Sequence, residues 1–492
     1  MAVRSRLLLS VLALSAACAG LLFARGFLTQ LMAWSPTNVP RLEQARIDPI
    51  ALGFAMTIAL ASSVLCSLAP ALRASRRDVN SGLRDGGRGS TGGRRDRLRG
   101  ALIVAEVALS LLLLVGAGLL IRSAIALQRT DTGFEPRGML SARLTLPTTS
   151  FTEPAHIVET LRRIDEAAAA VPGVKSAAIS SYAAMGGGGG SNGLVPEGRE
   201  PVAANFINST LRVITPSFFE TMGVRIVKGR NFSDDDRGGG QRVMIVSARL
   251  AAVAFPGQDP IGKRISCCEP GPDGFKTIIG VAADIRSRGP AIAPRPEFYL
   301  PIAQVPDVAW GWNRTMYVLV RTTGNPSALA QPLNAAVAGI DRDLPLFDVK
   351  TMDERLAHSL ATARFNTLLL TLLGAIGLAL AAGGIYGVIA YFVSQRTQEI
   401  GVRMALGATA ASVVRLVLGQ ALRPVAVGAV LGVTAALGAS RVLSSQLFGV
   451  SPTDPLTIAA VLATLIGVAM LASIVPARRA AAIDPTRALQ AE

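Results

Sequence analysis

Long apolar runs stand towards both ends of the chain, and between them apolar positions alternate or recur at helical spacing. Six runs approach the ~20 apolar residues that a bilayer crossing needs. They are 7–23, 50–68, 101–121, 367–393, 413–437 and 456–475. Between the third and fourth runs the period changes. Residues 139–146 alternate like a strand, 154–170 have helical composition, and 174–180 follow a Pro-Gly turn as a second strand. Further strands are predicted at 211–214, 243–246, 277–281 and 316–321, and further helices at 216–222, 247–255 and 327–340. Residues 352–362 should form a helix leading into the fourth run. The glycine run 186–190 reads as a loop. The expected fold class is an α-helical membrane protein with six transmembrane helices and an α+β domain outside the membrane.

The second and sixth runs belong to an internal repeat. Residues 48–83 align without a gap with 454–489. Each copy opens on Asp-Pro (Asp48-Pro49, Asp454-Pro455) and reaches a second proline 21 residues later (Pro70, Pro476). An Ala and an Arg-rich turn follow, then Asp78 or Asp484, and Leu83 or Leu489. Such repetition predicts two related membrane units. The first run, after Arg4 and Arg6, has the outline of a signal peptide. Its flank nevertheless aligns with the exit of the fifth run, Arg25 with Arg441, which argues for a membrane helix.

Charge decides the orientation. A net charge of +16 would suit nucleic acid only if gathered on one surface with aromatic residues interleaved. Instead, residues 122–355 hold 26 basic and 23 acidic side chains, while 73–99 hold nine Arg and three Asp beside apolar runs. Cytoplasmic loops carry such an excess. Arg396 and Arg403, and Arg478, Arg479 and Arg487, follow the same rule. Both termini are therefore expected inside and 122–363 outside, with no nucleic-acid partner. Cys18 and Cys66 lie in apolar runs and Cys267-Cys268 are adjacent, so no disulfide framework is expected. His156 and His358 have no neighbours at ligand spacing, and no metal or cofactor is expected.

Three motifs carry candidate chemistry. Gly257-Gln258-Asp259-Pro260-Ile261-Gly262-Lys263-Arg264 approaches a phosphate-binding loop, but Arg264 replaces the hydroxyl and a helix-like stretch precedes it. Glu106, inside the third run, is an intramembrane carboxylate. It reads either as a functional group or as a partner of Arg99 or Arg403, and the second reading is preferred. No catalytic constellation is present, so the chain is not read as an enzyme. The segment 395–408 joins the fourth and fifth runs on the cytoplasmic side. As a helix it pairs Glu399 with Arg403, and either Ile400, Met404 and Ala408 or Val402 and Leu406 form an apolar face. That face fits membrane lipid or a partner's groove equally well.

The stretch Arg396-Thr397-Gln398-Glu399-Ile400-Gly401-Val402-Arg403-Met404-Ala405-Leu406-Gly407-Ala408 resembles the signature of FtsX-like permeases, the membrane subunits of MacB-type ABC transporters. Thr215-Pro216-Ser217-Phe218-Phe219, Gly229-Arg230-Asn231-Phe232 and Pro260-Ile261-Gly262-Lys263 are similar to the MacB periplasmic core domain. Val475-Pro476-Ala477-Arg478-Arg479-Ala480 and Asp484-Pro485 resemble the family's C-terminal end. The duplication resembles a subgroup with two permease units in one chain. Aligned on the repeat, Met1 falls opposite Val417, so the first unit is expected to be N-terminally truncated.

The resemblance implies an organisation and a mechanism. Residues 1–72 would be the remnant of a first unit and 73–99 a basic cytoplasmic linker. Residues 100–121 would be a membrane helix, 122–363 a periplasmic MacB-like core domain, and 364–492 an FtsX-like domain with three membrane helices. The implied location is the bacterial inner membrane. A separate cytoplasmic ABC ATPase would dock on 395–408, through Arg396, Glu399, Ile400, Gly401, Arg403, Met404, Leu406, Gly407 and Ala408. ATP-driven closure would then move the periplasmic domain, for efflux or envelope export. A second permease unit or a second copy of this chain is a further implied partner. Two other roles fit the same outline: a membrane-anchored regulator of a periplasmic or cell-wall enzyme, and, ranked lower, an ion-coupled secondary transporter that depends on Glu106.

Overall fold

The computed structural model describes residues 92–186, 190–267, 274–305, 314–395, 397–406 and 408–481, with scattered positions between 20 and 57. The expected spans 7–23 and 50–68 fall mostly outside the described residues. The chain divides into two compact units, 125–361 and the helical remainder.

In the helical unit, α1 (Gly92–Gln128) precedes the external unit. After it come α7 (Ala361–Gln395), α8 (Thr397–Ala405), α9 (Ala410–Leu443) and α10 (Pro455–Ala481). Among the described residues, four stretches are long and apolar enough to cross a membrane: Gly100–Gln128, Ala361–Ser394, Ala411–Ala439 and Pro455–Arg479. One stripe of α1, Ile103, Val107, Leu111, Val115 and Leu119, repeats every four residues and is buried. It shares a core with Ile385 and Ile389 of α7, Val417 of α9 and Leu465 of α10. Outward positions such as Leu109, Leu380, Val430 and Leu471 are at least half exposed, as lipid-facing side chains are.

Small residues set how closely these helices approach. Gly428 and Gly432 stand four apart on α9, and a Cβ added to them would come within 2.8 Å of Val104 O and 2.9 Å of Ala108 O on α1. The repeated Asp-Pro opening has one local job in both copies. Asp48 Oδ1 accepts from Ile50 N at 3.0 Å, and Asp454 Oδ2 accepts from Thr457 N at 2.9 Å. The carboxylate caps free amides while the proline fills a first-turn position that needs no donor. Asp454 also pairs with Arg122 of α1.

The external unit is α+β. Its strands are β1 (Met139–Thr145), β2 (Val174–Ser180), β3 (Ser191–Pro196), β4 (Ile207–Ile214), β5 (Ile226–Gly229) and β6 (Val243–Ser247), continuing with β7 (Arg264–Ser266), β8 (Phe275–Ala282), β9 (Glu297–Pro301), β10 (Thr315–Thr322) and β11 (Phe347–Thr351). Its helices are α2 (Pro154–Ala169), α3 (Phe218–Met222), α4 (Ala248–Ala254), α5 (Ala330–Ala338) and α6 (Met352–Ser359). Strands β11-β1-β10-β2 make an open antiparallel sheet. The pairings β4-β3-β7-β8-β6-β9 return to β4, because β9 pairs with it in parallel, so these six strands close into a ring. Sheet and ring join at a single residue pair, Ser180 with Ile214.

Strand alternation divides the side chains between two cores. Leu140, Val318, Val213 and Leu300 face one, with Ile157 and Leu161 of α2 and Leu333 of α5. Leu319, Ile214 and Tyr299 face the other, with Phe218 and Phe219 of α3. On that second side Arg212 and Glu297 meet at 2.8 Å, each nearly inaccessible. Ser287 Oγ and Tyr299 Oη donate to the same carboxylate at 2.7 and 3.2 Å. The Arg212 guanidinium lies 3.5 Å from the Tyr182 ring centroid. Burial, with Glu297 beside it, pushes the Tyr299 phenol well above its ordinary range.

Several expectations are extended or corrected. The strand expected at 211–214 begins at Ile207, and the helix expected at 352–362 ends at Ser359 before α7 begins at Ala361. The turn after Ala254 is preceded by helix α4 and followed by strand β7, the reverse of a phosphate-binding loop. Cys267 is held in a disulfide whose other half lies outside the described residues. The sequence predicts no disulfide framework, and Cys267 carries one bridge.

Candidate functional site

The linker between α7 and α9 is a helix because its residues make it so locally. Glu399 stands in the first turn of α8 and Arg403 in the last, and Arg403 Nη2 donates to Glu399 Oε1 at 2.7 Å. Both charges complement the helix dipole. Ala408 N donates to Arg403 O at 2.9 Å, closing the helix end, and Thr409 then caps α9 through its hydroxyl and Ser412 N at 3.3 Å.

Of the two apolar faces that the sequence left open, Ile400 and Met404 point into the protein. Ile400 is 2% exposed and shares the core of Ile389, Val393, Val413 and Val417, with Met404 packed against it. Val402 and Leu406 point out, and Leu406 is 82% exposed. Burying Ile400 anchors α8 to the spans on either side of it. The outward face thus presents two apolar side chains beside the Glu399–Arg403 pair. Gly401 lies within α8, and Arg396 and Gly407 fall outside the described residues.

Glu106 is brought to a different place. It is half-buried on α1 against Gly384 of α7, where an added Cβ would meet its carboxylate. Arg403, one of its two expected partners, bonds Glu399 instead, since an i,i+4 neighbour is always within reach. The Arg99 side chain lies outside what is described. No group of three potential metal ligands occurs among the described residues.

Sequence reasoning missed one cluster. Pairing of β1 with β11 sets Ser141 opposite Lys350 and Leu140 opposite Thr351. This gathers Arg143, Asp348, Lys350 and Arg355 around one hollow. Burial pushes the Asp348 carboxyl up, but bonds from Lys350 and Arg355 outweigh it and hold the group below its ordinary value. The alternation of β11 runs only over Phe347-Asp348-Val349-Lys350, too short to announce a strand, and nothing local names β1 as its partner.

Residues 101–336 match the MacB-like periplasmic core domain, and 371–485 match the FtsX-like permease C-terminal domain. The first match opens in α1 and takes in the whole sheet and ring except β11. The second runs from α7 through α8 and α9 into the end of the chain. The chain belongs to the FtsX-like and MacB-like permeases. This permease is 27% identical over 330 residues to the macrolide export ATP-binding/permease protein MacB of Chromobacterium violaceum, covering 65% of this chain and 50% of that one. It is 27% identical over 293 residues to a probable syringafactin export ATP-binding/permease protein, SyfD, of Pseudomonas syringae pv. tomato, covering 58% and 42%. The permease thus spans about half the length of these relatives. The crystal structure of the periplasmic region of MacB from Actinobacillus actinomycetemcomitans overlaps 45% of this chain and 92% of its own, at 16% identity and a TM-score of 0.32. The outward face of α8 lies inside the FtsX-like match and Glu106 inside the MacB-like one.

Proposed function

We propose that this chain is the permease subunit of a MacB/FtsX-like ABC transporter. In this reading a separate cytoplasmic ATPase docks on α8, and its cycle moves the external unit to drive efflux or envelope export. The observation that carries the reading is the split character of α8: Ile400 is fixed in the core shared by the spans, while Val402 and Leu406 are left outside. A partner that grips the outer face moves the helix, and the helix cannot move without its spans. Coupling also requires that the grip differ between the ATPase's two states. Both termini lie in the cytoplasm in this reading, and 73–99 is a cytoplasmic linker.

Co-purification tests it. The ATPase should be captured with the intact chain and lost when residues 399–408 are deleted or when Leu406→Asp places a charge on the outward face. Leu406 is so exposed that this change should leave the thermal unfolding of the chain in place. Retention of the ATPase after the deletion would overturn the docking assignment. Orientation is tested apart from docking. Cysteines placed in 73–99 should resist impermeant reagents applied to intact cells, and labelling there would reverse the topology.

A further inference from the structure

The hollow between β1, β11 and α6 has a volume of about 340 Å³. Three cations line it, Arg143, Lys350 and Arg355, against the single carboxylate of Asp348. Arg355 is 4% exposed. Its Nε donates to Ser141 Oγ at 2.6 Å, and its Nη2 donates to Asp348 O and Oδ2 at 2.8 and 2.9 Å. Nη1 has no hydrogen-bond partner among the described residues, although the side chain around it is otherwise fixed. A Cβ on Gly186 would stand 3.2 Å from that nitrogen, so glycine is what keeps the space before it open. Arg143 repeats the pattern. Its guanidinium lies 4.5 Å from the Phe347 ring centroid, and its buried Nε has no partner.

The backbone is strained at the same place. Met185 (φ 60°) and Asp348 (φ 50°) are the non-glycine residues in the left-handed region among the described residues, and both line this hollow. Such conformations are costly and concentrate where a ligand is held. At Asp348 the turn lets one carboxylate hold two cations, with Lys350 Nζ at 3.0 Å on the other oxygen. Unmet guanidinium donors in an enclosure with two cations in excess call for an anion with several acceptor oxygens.

We propose that this hollow is a binding site for a phosphoryl dianion, with Arg355 Nη1 as its fixed donor and Arg143 and Lys350 as the flanking cations. The phosphoryl group is the shared chemistry of free phosphate and of a lipid headgroup with a terminal phosphate. His358, at the rim, is three residues before Ala361, where the next membrane span begins.

Hydrogen–deuterium exchange on the full chain separates the outcomes. One arm titrates inorganic phosphate against the chain in detergent. The other compares phosphatidylcholine nanodiscs with and without phosphatidic acid. Saturable protection of 347–359 by phosphate supports the site with a soluble ligand, and protection only with phosphatidic acid supports it with a lipid ligand. In either case Lys350→Gln should weaken the midpoint about tenfold or more, the scale of one charge-assisted bond. Arg143→Gln should do the same, while exchange in β6 stays unchanged as a check on folding. Absence of protection in both arms, or protection that both variants leave intact, overturns the proposal.

Discussion

In the external unit, Arg212 and Glu297 meet at 2.8 Å with almost no access to solvent. In the helical unit, the tight places are where Gly428 and Gly432 face backbone carbonyls of α1. One unit buries charge and meets it with bonds, and the other brings bare backbone together. The difference extends to unmet groups. Arg143 Nε, Asp165 Oδ1, Arg212 Nη1, Thr221 Oγ1 and Arg314 Nη1 are buried without partners, and all five belong to the external unit. Among the described residues the helical unit has none. A water-soluble fold gains enough from apolar burial to tolerate a few such groups. Helices in lipid gain little from that source and depend on contact distance instead.

The sharpest way to break this contrast is to remove one side of the buried pair. Glu297→Ala leaves Arg212 charged and uncompensated, with an expected loss of about 3–5 kcal/mol. Amide exchange in β4 and β9 should accelerate while α1 and α9 stay protected. Loss of protection in both units alike would show that the two are one cooperative body.

Asp165 supplies the next effect and its sign. Burial pushes this carboxyl up to about 7, although the Thr215 and Ser217 hydroxyls beside it pull the other way. Between about pH 4 and pH 7 the folded chain keeps a proton that the unfolded chain has lost. Stability of the external unit should therefore be full at low pH, fall as pH rises through that window, and level off above it. Asp165→Asn should flatten the curve and stabilise the unit at pH 8 by an amount on the order of 2–4 kcal/mol. Thermal unfolding at pH 5 and pH 8 reads both.

In the helical unit, Gly428→Leu places a side chain where backbone stands, and about 1–3 kcal/mol of destabilisation is expected. This should register as a lower unfolding temperature in detergent. The same change at Gly438, where an added Cβ meets nothing within 4 Å, should be silent. The smallest effect is at the surface of α8. Glu399→Ala should cost only about 0.3–0.5 kcal/mol, because both partners are exposed. A far larger loss there would place Glu399 inside the fold rather than on a docking face.

Much of the architecture was legible because it rests on period alone. The four described spans, strands β1, β2 and β10, and helix α2 follow directly from apolar spacing. Strands β3, β5, β7, β9 and β11 escaped because they are short, and β9 is buried at every position, so no alternation marks it. The ring escaped for a different reason. It depends on the parallel pairing of β4 with β9, whose members start 90 residues apart (Ile207, Glu297), and nothing local encodes a partner. At the candidate site, sequence located the α8 segment but left its two apolar faces equal. Only the packing of Ile400 against Val393 and Val417 distinguishes them. The Arg355 hollow was out of reach, since it needs β1 and β11 side by side across some 200 residues.

Closing six strands into a ring has a consequence for how the protein behaves in a crowded envelope. Exposed strand edges recruit other chains and seed aggregation. Among the described strands the outer edges are the side of β2 that meets the ring only at Ser180, in a strand that carries Lys175, and the short strands β5 and β11, of four and five residues. Both short strands are interrupted: β5 carries Lys228 and a register shift against β8, and β11 carries Asp348 and Lys350 and a shift against β1. A large β-rich domain can therefore persist among other chains while offering them little template for growth.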